Sequence, residues 1–254
     1  MDTGLDGRVV LITGAGGGAG PTIARAFAAE GASVAVHHRP GSKRAARAES
    51  TAGEIRGSAG RAIAVAADLG STDQTEAMVE RVAKELGPIA VLVTATSAYR
   101  TEGIAEIEDE SWASVVDDML GATFRTCRAV VPRMQAAGWG RIVNVAARSG
   151  LVGVARATHY AAAKAAIIGL TVSLAKELGP SGILVNAVAP VQLLTFRDGK
   201  PSISDERAAE RSKAIPVRRL ATPEDLAGVV VWLGSAANTY VTGEILSLHG
   251  GDQR

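Results

Sequence analysis

The sequence predicts an α/β fold, an open, doubly wound parallel sheet with helices on both faces. Two observations predict it. Short, nearly continuous runs of Val, Ile, Leu and Ala recur at residues 8–13, 33–37, 62–66, 91–94, 141–146, 183–187 and 245–248. Such runs fit strands buried on both faces. Between them lie Ala-rich stretches of helical length, such as 21–30, 72–86 and 111–137. Strand and helix alternating along a whole chain is the pattern of a parallel sheet with crossover helices. No linker or change of composition interrupts it, so residues 1–254 are expected to form one domain. The least patterned stretch, about 193–215, reads as an excursion on the substrate side.

The first turn carries Thr13-Gly14-Ala15-Gly16-Gly17-Gly18-Ala19-Gly20. Glycines let the backbone turn tightly and approach a ligand without a Cβ in the way. The helix that follows offers unpaired N–H groups and a partial positive charge to a pyrophosphate. Pro21 suits the first helical turn, where its missing N–H does no harm. Strand, glycine loop, helix and next strand occur in the order a dinucleotide site needs.

The second strand runs into His37, His38 and Arg39. Dinucleotide folds usually place a carboxylate roughly 20 residues past the loop, for the ribose 2′-hydroxyl. None is present here. Arg39 suits a 2′-phosphate instead, so NADP(H) is favoured over NAD(H). Lys43, Arg44 and Arg47 follow and read as a solvated helix face.

Tyr160 and Lys164 stand four residues apart at the start of a predicted helix, hence on one face. A neighbouring ammonium favours phenolate and should draw the tyrosine below its ordinary value of about 10. Such a phenol can give or take the proton that accompanies hydride transfer.

On these residues the sequence resembles the short-chain dehydrogenase/reductase family, in particular its ketoacyl-reductase-like branch. Thr13 to Gly20, the Tyr160/Lys164 pair, ILVNAVAP and the tail from TPEDLAG to LHGG follow in family order. The resemblance implies a Rossmann-like sheet of about seven parallel strands, in one dinucleotide-binding and catalytic domain. It assigns adenine contacts to Asp68 and Leu69, and coenzyme contacts to Thr94, Pro190 and Thr195. It also implies a homotetramer or homodimer, with helices around 111–137 and 157–178 at one interface.

The departures concern chemistry. The family's catalytic serine falls on Ala147, its asparagine on Met119, and its Asn-Asn-Ala-Gly motif on Thr94-Ala95-Thr96-Ser97. Val191 and His249 replace a glycine and an aspartate. Ala147 removes a hydrogen-bond donor of the kind worth roughly 10²–10³ in rate. Ser149 or Thr158 offers a substitute hydroxyl, and the sequence leaves open which way either turns. Tyr99, Arg100, Arg148, Arg156 and His159 are further candidates to meet a polar or acidic substrate.

Composition sets the outer bounds. A net charge of +1 argues against a general nucleic-acid binder. The single Cys127 excludes a disulfide framework and reads as a small packed residue, and no metal-ligand pattern appears around His37 and His38. No apolar run is long enough to span a membrane and no signal peptide is apparent, so a cytoplasmic protein is expected. The resulting reading is an oxidoreductase reducing a carbonyl, imine or activated C=C of a small metabolite. Tyr160 is its general acid and Lys164 the activator. Two other readings use the same residues: a catalytically silent, coenzyme-binding partner subunit, or a non-redox acid–base enzyme.

Overall fold

The computed structural model describes residues 2–197 and 200–252. Seven strands form one parallel sheet: β1 (Val9–Thr13), β2 (Ser33–His38), β3 (Ala62–Ala66), β4 (Ile89–Thr94), β5 (Gly140–Val145), β6 (Ile183–Pro190) and, at the far edge, β9 (Ile245–Leu248). Their order is β3-β2-β1-β4-β5-β6-β9. The chain therefore winds outward from β1 in one direction and, after crossing to β4, in the other.

The helices are α1 (Gly20–Ala29), α2 (Ala45–Gly57), α3 (Thr72–Glu85), α4 (Asp109–Val116), α5 (Ala122–Ala137), α6 (Ser149–Val152), α7 (Thr158–Leu178), α8 (Asp205–Ala214) and α9 (Pro223–Gly234). β1 shows how the sheet is covered. Val10 and Ile12 join Ile23 and Phe27 of α1 and Leu226 and Val230 of α9 in one apolar cluster. Val9 and Leu11 join Met78 and Val82 of α3 and Val130 and Met134 of α5 in another. Alternate side chains of one strand thus serve two cores, which is why its sequence is apolar from Val9 to Ile12.

Local chemistry fixes the helix starts. Ser71 accepts from the Gln74 N–H at 3.3 Å ahead of α3. Thr222 and Asp225 form a reciprocal capping box at α9, satisfying donors that the helix itself leaves unpaired. The long helix expected over 111–137 is interrupted by a π-turn at Asp117–Gly121, centred on the fully buried Met119. The stretch 193–215 holds a two-residue hairpin, β7 (Phe196–Arg197) with β8 (Lys200–Pro201), then α8. Asp198 and Gly199 of that excursion lie outside the described residues.

Cys127 is buried in the second cluster, and burial pushes its thiol up to about 12. No helix among the described residues is long and apolar enough to cross a membrane, and none of their His, Cys, Asp and Glu side chains form a group placed to hold a metal.

Candidate active site

In an open parallel sheet the loops leaving the strand ends diverge where the strand order reverses, and ligands bind in the crevice between them. Here the reversal lies between β1 and β4. A cleft of about 1180 Å³ opens there. It is lined by the glycine loop after β1, by Ala95, Thr96 and Ser97 after β4, and by Tyr160 and Lys164 of α7.

The glycine loop is held close to its neighbours. Gly14 has φ +68°, and a Cβ there would lie 2.7 Å from the Ala95 carbonyl oxygen. Its N–H donates to Nδ1 of His37 at 3.0 Å, and Nε2 of His37 reaches the Ala67 carbonyl at 3.0 Å. These partners fix one neutral tautomer: Nδ1 accepts and Nε2–H donates. Burial favours that neutral form and lowers the imidazole from 6.5 to about 4, although the Ala67 bond pulls the other way. His37 thus ties the loop to the ends of β2 and β3. The sequence shows the histidine but gives no sign of this geometry.

The cations beyond β2 sort differently from expectation. Arg39 donates to Asp118 in the π-turn and lies 3.5 Å from Asp68. Its hydrogen bond to Asp118 raises its pKa further. Arg44, read from sequence as part of a solvated helix face, instead lies against the glycine loop and lines the cleft. A Cβ added at Gly17 would sit 3.0 Å from Arg44 Nε, so the missing side chain makes room for the guanidinium.

Gly14, Gly17, Gly18, Ala19, Gly20, Tyr99, Ala147, Ser149, Tyr160, Lys164, Pro190 and Thr195 are brought together around the cleft. Thr13, Gly16, Arg39, Asp68, Leu69, Thr94 and Arg156 are not among its lining residues. Thr94 is buried, and its hydroxyl donates to Asn144 at 2.8 Å. Asn144 in turn donates to Thr171 at 2.9 Å, so Thr94 braces β4 against β5 and α7. Leu69 is buried, and its carbonyl accepts from Arg125 at 2.8 Å. Arg156 pairs with Glu106 at 2.9 Å on the surface. His159 is fully buried, with Nε2 3.4 Å from Glu102.

Tyr160 and Lys164 share the cleft, but the expected electrostatics are corrected. The phenol is held above its ordinary value, not below it. Burial is the largest cause; the Ser97 side chain, as a hydrogen-bonding partner, opposes it, and Tyr99 adds to it. The Tyr99 ring meets Tyr160 edge-on, 5.0 Å between centroids. The Lys164 ammonium sits 6.0 Å from the phenol ring centre. Its Nζ donates to the Val145 carbonyl at 2.7 Å and to Thr96 at 3.2 Å, and burial brings it down to about 8. Ser97, like His37, has a role that the sequence does not announce: it stands where the resemblance implies a glycine, and its hydroxyl is the hydrogen-bonding partner of Tyr160.

At the substrate side Ala147 presents a methyl group, and Met119 is buried beneath α7. Oγ of Ser149 and Nη2 of Arg148 are buried without a hydrogen-bond partner.

Comparison with known proteins agrees with this geometry. Residues 14–252 match the family model described as Enoyl-(Acyl carrier protein) reductase. The chain is 33% identical over 244 residues to Nodulation protein G of Azospirillum brasilense, covering 96% of this chain and 97% of that protein. It is 36% identical over 248 residues to 3-oxoacyl-[acyl-carrier-protein] reductase FabG of Thermotoga maritima, covering 97% and 98%. A crystal structure described as a short-chain alcohol dehydrogenase from Sinorhizobium meliloti 1021 superposes with a TM-score of 0.90 at 32% identity, covering 99% and 98%. With its seven-stranded parallel sheet, its glycine loop at the strand-order reversal and Tyr160 beside Lys164 in the same cleft, the chain belongs to the short-chain dehydrogenase/reductase family.

Proposed function

We propose that the protein is an NADPH-dependent reductase of a carbonyl, imine or activated C=C in a small organic molecule. The observation that carries this reading is that the glycine loop and the Tyr160/Lys164 pair line one crevice. The crevice fits a nicotinamide dinucleotide in its own terms. The backbone approaches closely at Gly14, the first turn of α1 faces it, and Pro190 and Thr195 close its other side. When bound, the coenzyme supplies the hydride.

The protein's own residues supply the rest. Tyr160 stays protonated at neutral pH, because burial disfavours phenolate, and so holds the proton destined for the substrate oxygen. Lys164, pinned by two backbone carbonyls, keeps a positive charge behind the phenol and stabilises the phenolate left after donation. Ser97 offers a second hydroxyl at the same phenol. The preference for NADPH rests on Arg44 over the glycine loop together with Arg39. Because Arg39 already faces two carboxylates, Arg44 is the better placed of the two. The relatives named as 3-oxoacyl-[acyl-carrier-protein] reductases support the carbonyl reading.

The exposed Trp112 and Phe124 on α4 and α5 support a homodimer or homotetramer through that face, as the resemblance implies. The methyl group of Ala147 favours a second reading, a silent coenzyme-binding subunit. One assay separates them. NADPH oxidation is followed over a panel of ketones, enones, quinones and cyclic imines. Tyr160→Phe is expected to lower turnover by about 10²–10⁴. Tight NADPH binding with no turnover on the whole panel would establish the silent subunit instead.

A further inference from the structure

Two donors at the Tyr160 end of the cleft are buried with nothing to bond. They are Nη2 of Arg148 and Oγ of Ser149. Leaving a buried donor unsatisfied is costly, more so when it is charged. Most buried polar atoms in folded proteins have partners. Among the described residues the other exceptions are the two ring nitrogens of His159, which is fully buried and does not line the cleft, so Arg148 and Ser149 are the two at the cleft that call for an explanation. Both residues line the cleft, directly after Ala147.

Their backbone is fixed. The Arg148 N–H donates to the Pro190 carbonyl at 3.0 Å, the Arg148 carbonyl accepts from Leu151 at 2.8 Å, and the Ser149 carbonyl accepts from Gly153 at 2.9 Å. The segment is therefore built in place, and what it lacks is an acceptor. The other cations of the cleft are engaged elsewhere. Arg44 lies on the glycine loop, Lys164 is bonded to two carbonyls, and Arg211 donates to Gln192.

We propose that the substrate carries a carboxylate and that Arg148 and Ser149 receive it, so that the substrate is an oxo acid. The proposal rests on the reductase reading and narrows it. A guanidinium N–H and a hydroxyl match the two oxygens of a carboxylate, and charge-assisted bonds of this kind are among the stronger ones. Binding at this remote group orients the carbonyl at Tyr160, which offsets the donor missing at Ala147. The carboxylate itself is unchanged in the reaction. The carbonyl carbon gains a hydride from NADPH, the carbonyl oxygen gains the Tyr160 proton, and NADP⁺ is the oxidised product.

The test uses the full chain with NADPH and two matched pairs: acetoacetate with ethyl acetoacetate, and 4-oxopentanoate with its ethyl ester. In the parent protein at least one acid is expected to exceed its ester in kcat/KM. Arg148→Met is expected to cut that acid-to-ester ratio by about 100-fold, since truncating one partner of a buried charge pair is costly. Ser149→Ala should cut it by roughly fivefold, as for loss of one hydrogen bond. NADPH fluorescence titration shows whether each variant is folded; if Arg148→Met is not, Arg148→Lys takes its place, keeping the charge and losing the fork.

Esters reduced as well as acids, or a ratio untouched by the Arg148 variant, would overturn the carboxylate site and leave the reductase standing. Should none of the four be reduced, the wider panel decides the reductase reading, and calorimetric titration of acetoacetate into the NADP⁺-loaded protein decides the site alone. Saturable binding lost in the Arg148 variant upholds it; no binding ends it.

Discussion

The two ends of the cleft satisfy their polar groups differently. At the glycine-loop end, Gly14, His37 and the Ala67 carbonyl form a closed chain of hydrogen bonds, and Arg39 lies between Asp118 and Asp68. At the other end Arg148 and Ser149 hold buried donors without acceptors, and Tyr160 keeps its proton in apolar surroundings. The contrast shows which end the protein completes alone. The first is a finished scaffold whose geometry persists without a ligand. The second leaves donors that the protein itself does not satisfy, as functional sites commonly do.

The largest expected effect tests the finished end by pH. His37 titrates near 4 in the folded protein and near 6.5 unfolded, so between these values the unfolded chain binds more protons. Its contribution is complete above pH 6.5 and is lost as pH falls toward 4, by about 3 kcal/mol in all. His37→Asn keeps an acceptor and a donor and does not titrate. Denaturant unfolding at pH 7 and pH 4.5 should show the parent losing more stability than this variant; parallel losses would remove His37 from the scaffold.

Next in size is Ala147→Ser, which restores a donor at the unfinished end. It is expected to raise kcat by about 100-fold, at the lower end of the range for one oxyanion-type donor. An unchanged kcat would mean the donor is already supplied from elsewhere, with Ser97 the first place to look. The smallest effect sharpens the comparison from the surface. Arg39→Ala breaks a half-exposed pair and should cost under about 1 kcal/mol in thermal unfolding, because solvent screens such pairs. A loss of several kcal/mol would show that the clasp holds the π-turn in place.

Local patterns made much of this legible. The runs of Val, Ile and Leu marked the strands, since a strand buried on both faces has no polar alternative. The spacing of Tyr160 and Lys164 placed both on one helix, and the glycine loop followed β1 as expected. What stayed hidden depends on distant side chains. Nothing near His37 in sequence announces Ala67, and nothing near Arg39 announces Asp118. The lowering expected for Tyr160 failed because burial, a property of the whole fold, outweighs the Ser97 hydrogen bond that opposes it. Helix α8 was missed for another reason. Its sequence DERAAERSKA has no apolar stripe, and its clearest signal is the cap at Ser204, which accepts from Arg207.

The reversal of strand order between β1 and β4 has a consequence for descent. The hollow exists because of the path of the chain, so no single side chain is needed to keep it open. Such a fold can carry a methyl group or a hydroxyl at a bordering position such as 147 and still offer a shaped chamber in which new chemistry can be assembled from whichever loops border it.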